Sequence, residues 1–277
     1  MPALLPAVLP GARTDLREEC LQALSVVLDP ELDEPITDLG FVRSLAVDGD
    51  VVVVHLRLPT SFCSPNFAYL MASDAKDVLS DLPWTRTVLV ELDDHHDSDL
   101  INAGLAADAG YRGTFGHEAE RDLDDLRLTF RRKAHTAAME RALTTSLRAD
   151  ADLREEDLGD VVLADLHDER TRDALLRRRE ALGLSTDPSA PVLVDDHGTP
   201  YPREEVPLRL RRARSTRISI DGNAHFCRGL LATRYPGSEA DQAFRPEGSE
   251  PGDLRGNHPL LPLAVVTGAT TSSRETA

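Results

Sequence analysis

Cys63 is the side chain in this sequence whose surroundings most invite chemistry. It stands in LPTSFCSPNFAYLM (58–71), after a β-branched apolar run and just before Phe67, Leu70 and Met71 at helical spacing. Ser64 suits a helix N-cap and Pro65 the first helical position. The dipole and unpaired amides of a helix start favour an anion, so a thiolate at Cys63 would be stabilised there. A thiolate serves both metal ligation and nucleophilic attack. A buried structural cysteine at a strand-to-helix turn is the alternative, and local chemistry leaves these readings open.

Other residues could join it. NAHFCRG places His225 and Cys227 two apart, and in a strand such a pair shares a face. They could ligate together or complete a site with Cys63; structural burial of Cys227 is the competing reading. His95 and His96 lie among Asp93, Asp94 and Asp97. One cysteine with one or two imidazoles makes a mixed site for zinc or iron. Adjacent histidines at a strand end point to opposite sides, so at most one reaches Cys63. The segment LDPELDEPITDLG gathers Asp29, Glu31, Asp33, Glu34 and Asp38. Carboxylates this dense can bind a hard cation, although the spacing is not that of an EF-hand. The plainer reading has Asp29 and Asp38 accepting from local backbone amides as turn residues.

The elements that position these residues follow from periodicity. Residues 15–28 read as an amphipathic helix, with Asp15 and Glu18 as a capping box and Cys20 on the apolar face as a core residue. FVRSLAV and VVVVHLRL read as strands joined by the turn DGD. A helix is expected from Pro65 to Leu82, then a third strand, TRTVLVEL. The expected fold class is α+β: a two-layer α-β-β-α-β domain over 14–97, after a flexible arm over 1–13. Residues 118–235 are expected to be mainly helical, with helices over 118–149 and 168–182 and Gly183 as a stop. Within that region PVLVDDHGTPYP suggests a short strand and turn, and RISI reads as strand-like before a glycine turn. Residues 236–277 are expected to be a disordered tail.

Composition narrows the classes. The chain of 277 residues carries a formal net charge of −17, which repels nucleic acid and anionic membrane surfaces alike. Its one basic cluster, Arg203, Arg209, Arg211, Arg212, Arg214 and Arg217, is placed to dock an acidic partner or to pair within the protein. No apolar run approaches the roughly 20 residues of a membrane span. Three cysteines without a CxxC argue for a reducing compartment, the cytoplasm.

The stretch VVLDPELDEPITDLGFVRSLAVDGDVVVVHLRLPTSFC resembles the SufT/PaaD family of iron–sulfur cluster assembly proteins, over roughly residues 14–93. The matching features are Asp29-Pro30-Glu31 after the first helix, Asp38-Leu39-Gly40 before the first strand, and the turn from Thr60 to Cys63. The family cysteine is directly followed by proline, whereas here Ser64 intervenes. The segment after the third strand also differs from the Pro- and Trp-rich exit of many relatives.

The resemblance implies an accessory factor that uses Cys63 to hold or hand over iron or an iron–sulfur cluster, transiently, to a client metalloenzyme such as a multicomponent oxygenase. Zinc is the alternative metal. On this reading Asp29, Glu31, Asp38, Gly40 and Thr60 are motif residues, Cys63, His95, His96, His225 and Cys227 are metal-ligand candidates, and the protein is not an enzyme. Its partners would be the client and other assembly factors, and a homodimer is compatible with it. A metal-free adaptor, with Cys63 structural, is a second reading. A cysteine-dependent enzyme is a third, for which the sequence offers no base motif, oxyanion loop or phosphate loop.

Overall fold

Alternating apolar residues and one short turn build the sheet. The computed structural model describes residues 10–116 and 123–243, with side chains from residue 16. β3 (Val42–Asp48) and β4 (Val51–Arg57) pair antiparallel across the expected turn, where Gly49 takes φ +63°. β5 (Thr87–Asp93) adds in parallel on the other side of β4, giving the order β3-β4-β5. Val52, Val54 and Leu56 of β4 and Val88, Val90 and Leu92 of β5 are buried on one face, as the period of two requires. A two-residue ladder, β1 (Leu28–Asp29) with β2 (Glu34–Pro35), ties off the acidic loop before the sheet.

α1 (Pro10–Leu24) and α2 (Pro65–Ser80) supply the other layer of the first core, with Cys20 and Leu24 fully buried beside Ala72, Ala75 and Leu79. The α-β-β-α-β order and the α+β class expected from the sequence are present. α1 starts earlier than expected, so Asp15 lies inside the helix rather than at its start. α3 (Ser98–Ala106) and α4 (Gly110–Phe115), unforeseen in the sequence, extend this core with Ile101, Leu105 and Phe115.

The rest is helical, as expected. α5 (Leu123–Ala149), α6 (Glu169–Ala181) and α7 (Val206–Arg234) enclose a second core with the segments around Leu163 and Leu193. Asp168 caps α6 by accepting the Thr171 amide at 2.8 Å, and Gly183 stops it at φ +66°.

α7 overturns one expectation. Residues 217–220 are not strand-like and Gly222 is not a turn; both lie within a continuous 29-residue helix. Its seam is Leu210, Ala213, Arg217, Ile220, Ala224, Cys227 and Leu231, a three-four spacing whose members are buried or half-buried. Packing along this seam overrides the β-branched residues and the glycine. The seam serves both cores: Leu210 and Ala213 the second, Ala224, Cys227 and Leu231 the first.

Residues 236–243, expected to open a disordered tail, instead fold back on the first core. A 3-10 turn spans Ser238–Asp241, Ser238 is buried, and the Ala243 amide donates to the Asp38 carbonyl at 2.9 Å. The remainder of the expected tail, 244–277, and residues 1–9 of the expected arm lie outside the described residues.

Candidate functional site

The turn between β4 and α2 carries Cys63, half-buried against the first core. Thr60 Oγ1 lies 3.5 Å from Cys63 Sγ and accepts the Phe62 amide at 3.2 Å. Ser64 occupies the N-cap position of α2 as expected, yet its side chain makes no capping bond; its carbonyl accepts from the amides of Phe67 and Ala68.

The exit of β5 braces this turn. His95 is buried, and its Nε2 lies 2.9 Å from the Cys63 carbonyl oxygen. Its Nδ1 accepts the Asp97 amide at 3.0 Å. These two bonds assign the neutral tautomer with the proton on Nε2, donating to Cys63. Both ring nitrogens are thereby engaged. The His96 amide donates to the Ser61 carbonyl at 2.9 Å, while its exposed ring stands 5.8 Å from that of Phe62. The two histidines therefore diverge, one inward and one outward.

The end of α7 braces the same turn from the other side. Arg234 donates to the Leu58 carbonyl at 3.1 Å, to Ser61 Oγ at 2.7 Å and to the Asp94 carbonyl. Tyr235 donates to Asp94 at 2.9 Å; burial and that bond push its hydroxyl up to about 12, keeping it a donor. Sequence reasoning missed both residues, because their role depends on a helix it had broken at Gly222.

Cys227 approaches from the α7 seam. Burial pushes its thiol up to about 12, and the nearby acidic groups Asp29 and Glu31 act in the same direction. Cys227 is therefore a neutral thiol at ordinary pH, within electrostatic reach of Cys63 and of the Asp-Pro-Glu motif. A metal ion reverses that balance, because a coordinating thiol gives up its proton. His225 does not share this face. Two residues along a helix turn the side chain through about 200°, and His225 is exposed.

The acidic loop is committed to the protein itself. Asp29 is buried and accepts the amides of Glu31 and Leu32, each at 2.9 Å, the turn role expected for it. Burial nevertheless pushes its carboxyl up to about 6. Asn223 donates to Glu31 at 3.3 Å, Arg178 Nε to Asp33 at 2.7 Å, and Arg228 pairs with Glu34. Asp38 contributes its carbonyl to Ala243, and its carboxylate accepts from Thr37 at 3.3 Å. Gly40 takes φ +75°, and a Cβ there would stand 3.0 Å from Gln242 Cγ. Arg57, also missed by sequence reasoning, locks this corner: its Nε donates to the Gly40 carbonyl at 3.0 Å and its Nη2 to Asp241 at 2.6 Å.

The basic cluster is largely paired within the protein. Arg203 meets Asp157 and Asp160, Arg209 meets Glu205, and Arg214 and Arg217 converge on buried Glu140. Among the described residues, no three His, Cys, Asp or Glu side chains form a group able to hold a metal ion. The structure thus packs both Cys63 and Cys227 against the first core, with His95 beneath the Cys63 turn, and leaves His96 and His225 in solvent.

Comparison with known proteins gives this geometry a context. Residues 17–92 match the family model described as iron–sulfur cluster assembly protein. The chain is 36% identical over 80 residues to an iron–sulfur cluster carrier protein of Mycobacterium leprae, covering 28% of this chain and 20% of that protein. It is 32% identical over 90 residues to an uncharacterized protein of Methanocaldococcus jannaschii, covering 32% of this chain and 93% of that relative. The chain thus spans a fifth of the carrier protein's length and nearly all of the archaeal relative's. No solved structure matches. Through the segment that holds Asp29, Gly40, Thr60 and Cys63, the chain belongs to the iron–sulfur cluster assembly protein family.

Proposed function

We propose that the protein is a maturation accessory factor that holds iron or an iron–sulfur cluster transiently and passes it to a client metalloenzyme. The observation that carries this reading is that Cys63, within the family segment, and Cys227, from outside it, both pack against the same core. Two soft sulfur donors suit a thiophilic cargo. They fill only part of a four-coordinate shell, and the open positions are what a handover to client or partner ligands requires. Zinc fits the same donors. His95 acts as a positioning residue under Cys63, and His96, exposed beside the turn, is the histidine free to swing toward a bound ion. His225 is too far around α7 to share the cargo with Cys227.

The mainly helical region over 118–235 is then the client-facing part, in the cytoplasm, with a multicomponent oxygenase as one client class. The chain's own residues are framework and ligands rather than a catalytic set, so it is an accessory protein and not an enzyme. The test is the iron and acid-labile sulfide content of protein purified without air, against Cys63→Ala and Cys227→Ala. Metal in the native chain and its loss in both variants is expected. Equal content in all three overturns the reading.

A second reading is a metal-free adaptor that bridges the client and other assembly factors, with Cys63 structural in a turn that His95 and Arg234 already hold. In that case co-purification of the client survives replacement of both thiols, and no metal accompanies the native chain.

A further inference from the structure

A cleft of about 560 Å³ opens between the acidic loop and the helical region, on the side of Asp29 and Pro30. Its volume is that of a small-molecule site. Val26 and Leu28 contribute apolar surface although they are 67% and 41% exposed, and Pro35, Phe130, Ala134 and Ala181 continue it.

Four arginines line the same cleft, and they divide into two kinds. Arg127 is pinned to Asp74, with Nη1 at 2.6 Å from the carboxylate, and Arg178 is pinned to Asp33. These two pairs are neutral as units. Arg131 on α5 and Arg177 on α6 are exposed and hold no ion pair or hydrogen bond among the described residues. Arg177 contributes only a weak field at Asp33. A chain with net charge −17 thus presents two uncommitted guanidinium groups at an apolar cleft. Guanidinium groups recognise carboxylate, sulfonate or phosphate by paired hydrogen bonds, more strongly where water is partly excluded.

We propose that this cleft binds a small amphipathic organic anion, its apolar body against Val26, Leu28 and Phe130 and its acidic group between Arg131 and Arg177. Neither thiol lines the cleft, and its ligand is a free small molecule rather than the metal cargo.

Anilinonaphthalene sulfonate, an apolar body with one anionic group, is the probe. Fluorescence titration of the full chain is expected to show saturable binding. Arg131→Ala/Arg177→Ala, both at exposed positions, should weaken it about tenfold or more. Val26→Asp, which sets a like charge at the cleft, should do the same. Phenylnaphthylamine, the same body without the charge, should bind much more weakly. Absence of saturable binding, an unchanged affinity in either variant, or equal binding of the neutral analogue overturns the proposal. Circular dichroism of the variants, expected to match the native chain, confirms that a loss reflects the site.

Discussion

The Nε2 of His95 donates to the carbonyl of Cys63 across 2.9 Å, joining the exit of β5 to the turn that carries the thiol. A buried imidazole satisfied at both nitrogens is a brace. His95→Phe keeps most of the volume and removes both bonds, so it should cost about 1–3 kcal/mol of stability. Urea denaturation measures that loss. The loosened turn should also speed alkylation of Cys63 by iodoacetamide several-fold, read by peptide mass spectrometry. An unchanged rate and midpoint would show that the brace is dispensable.

Gly40 joins a motif to the segment that covers it. Its φ of +75° disfavours any side chain, and a Cβ would press on Gln242. Gly40→Ala should therefore cost about 1–2 kcal/mol and loosen residues 238–243. Limited proteolysis should then cut that segment sooner than in the native chain.

Glu140 is fully buried in the second core, where it meets Arg217, Arg214 at 3.1 Å and the Thr144 hydroxyl at 2.8 Å. Glu140→Ala leaves Arg217 with only Asp221 and should cost about 3–5 kcal/mol. Glu140→Gln, which retains acceptors without charge, should fall between that variant and the native chain. Arg214→Ala, at a more exposed partner, should be milder than Glu140→Ala. Equal midpoints for all three would remove the network from the account of stability.

Two buried groups give opposing pH dependences. Burial raises Asp29 from 3.8 to about 6, so the native state holds its proton longer than the unfolded chain. Its contribution is present below pH 4 and is lost as pH rises through 6. Burial, with Arg179 and Arg178 nearby, lowers His135 from 6.5 to about 4. Its contribution is present above pH 6.5 and is lost as pH falls through 4. The slopes partly cancel between pH 4 and 6.5. Asp29→Asn should unmask the histidine, giving stability that climbs with pH across this window; His135→Gln should give the reverse. Urea midpoints at pH 4, 5 and 6.5 distinguish them, and parallel curves for both variants would refute the assignment.

The layered α-β-β-α-β core was legible because its signals are local. Val52, Val54 and Leu56 alternate, Ala68, Ala72 and Ala75 repeat at helical spacing, and the sheet buries what the pattern says it should. Cys20 and the turn role of Asp29 followed from the same local chemistry. α7 was not legible that way. Ile218, Ile220 and Gly222 each weigh against a helix taken singly, and only the spacing from Leu210 to Leu231 shows otherwise. That error hid the positions of Cys227, Arg234 and Tyr235. In a strand His225 and Cys227 would share a face; in the helix they part. The pairing of Asp33 and Glu34 with Arg178 and Arg228 was equally out of reach, since no local rule joins residues so far apart in sequence.

The seam of α7 also sets an order in time. Cys63 leaves the ribosome long before Cys227, and N-terminal units of a growing chain fold first. Until α7 is made and docked, a nascent chain presents Cys63 without Cys227 in the same core and without the brace of Arg234. A chain that stops before α7 therefore holds the Cys63 turn less firmly than the finished molecule does.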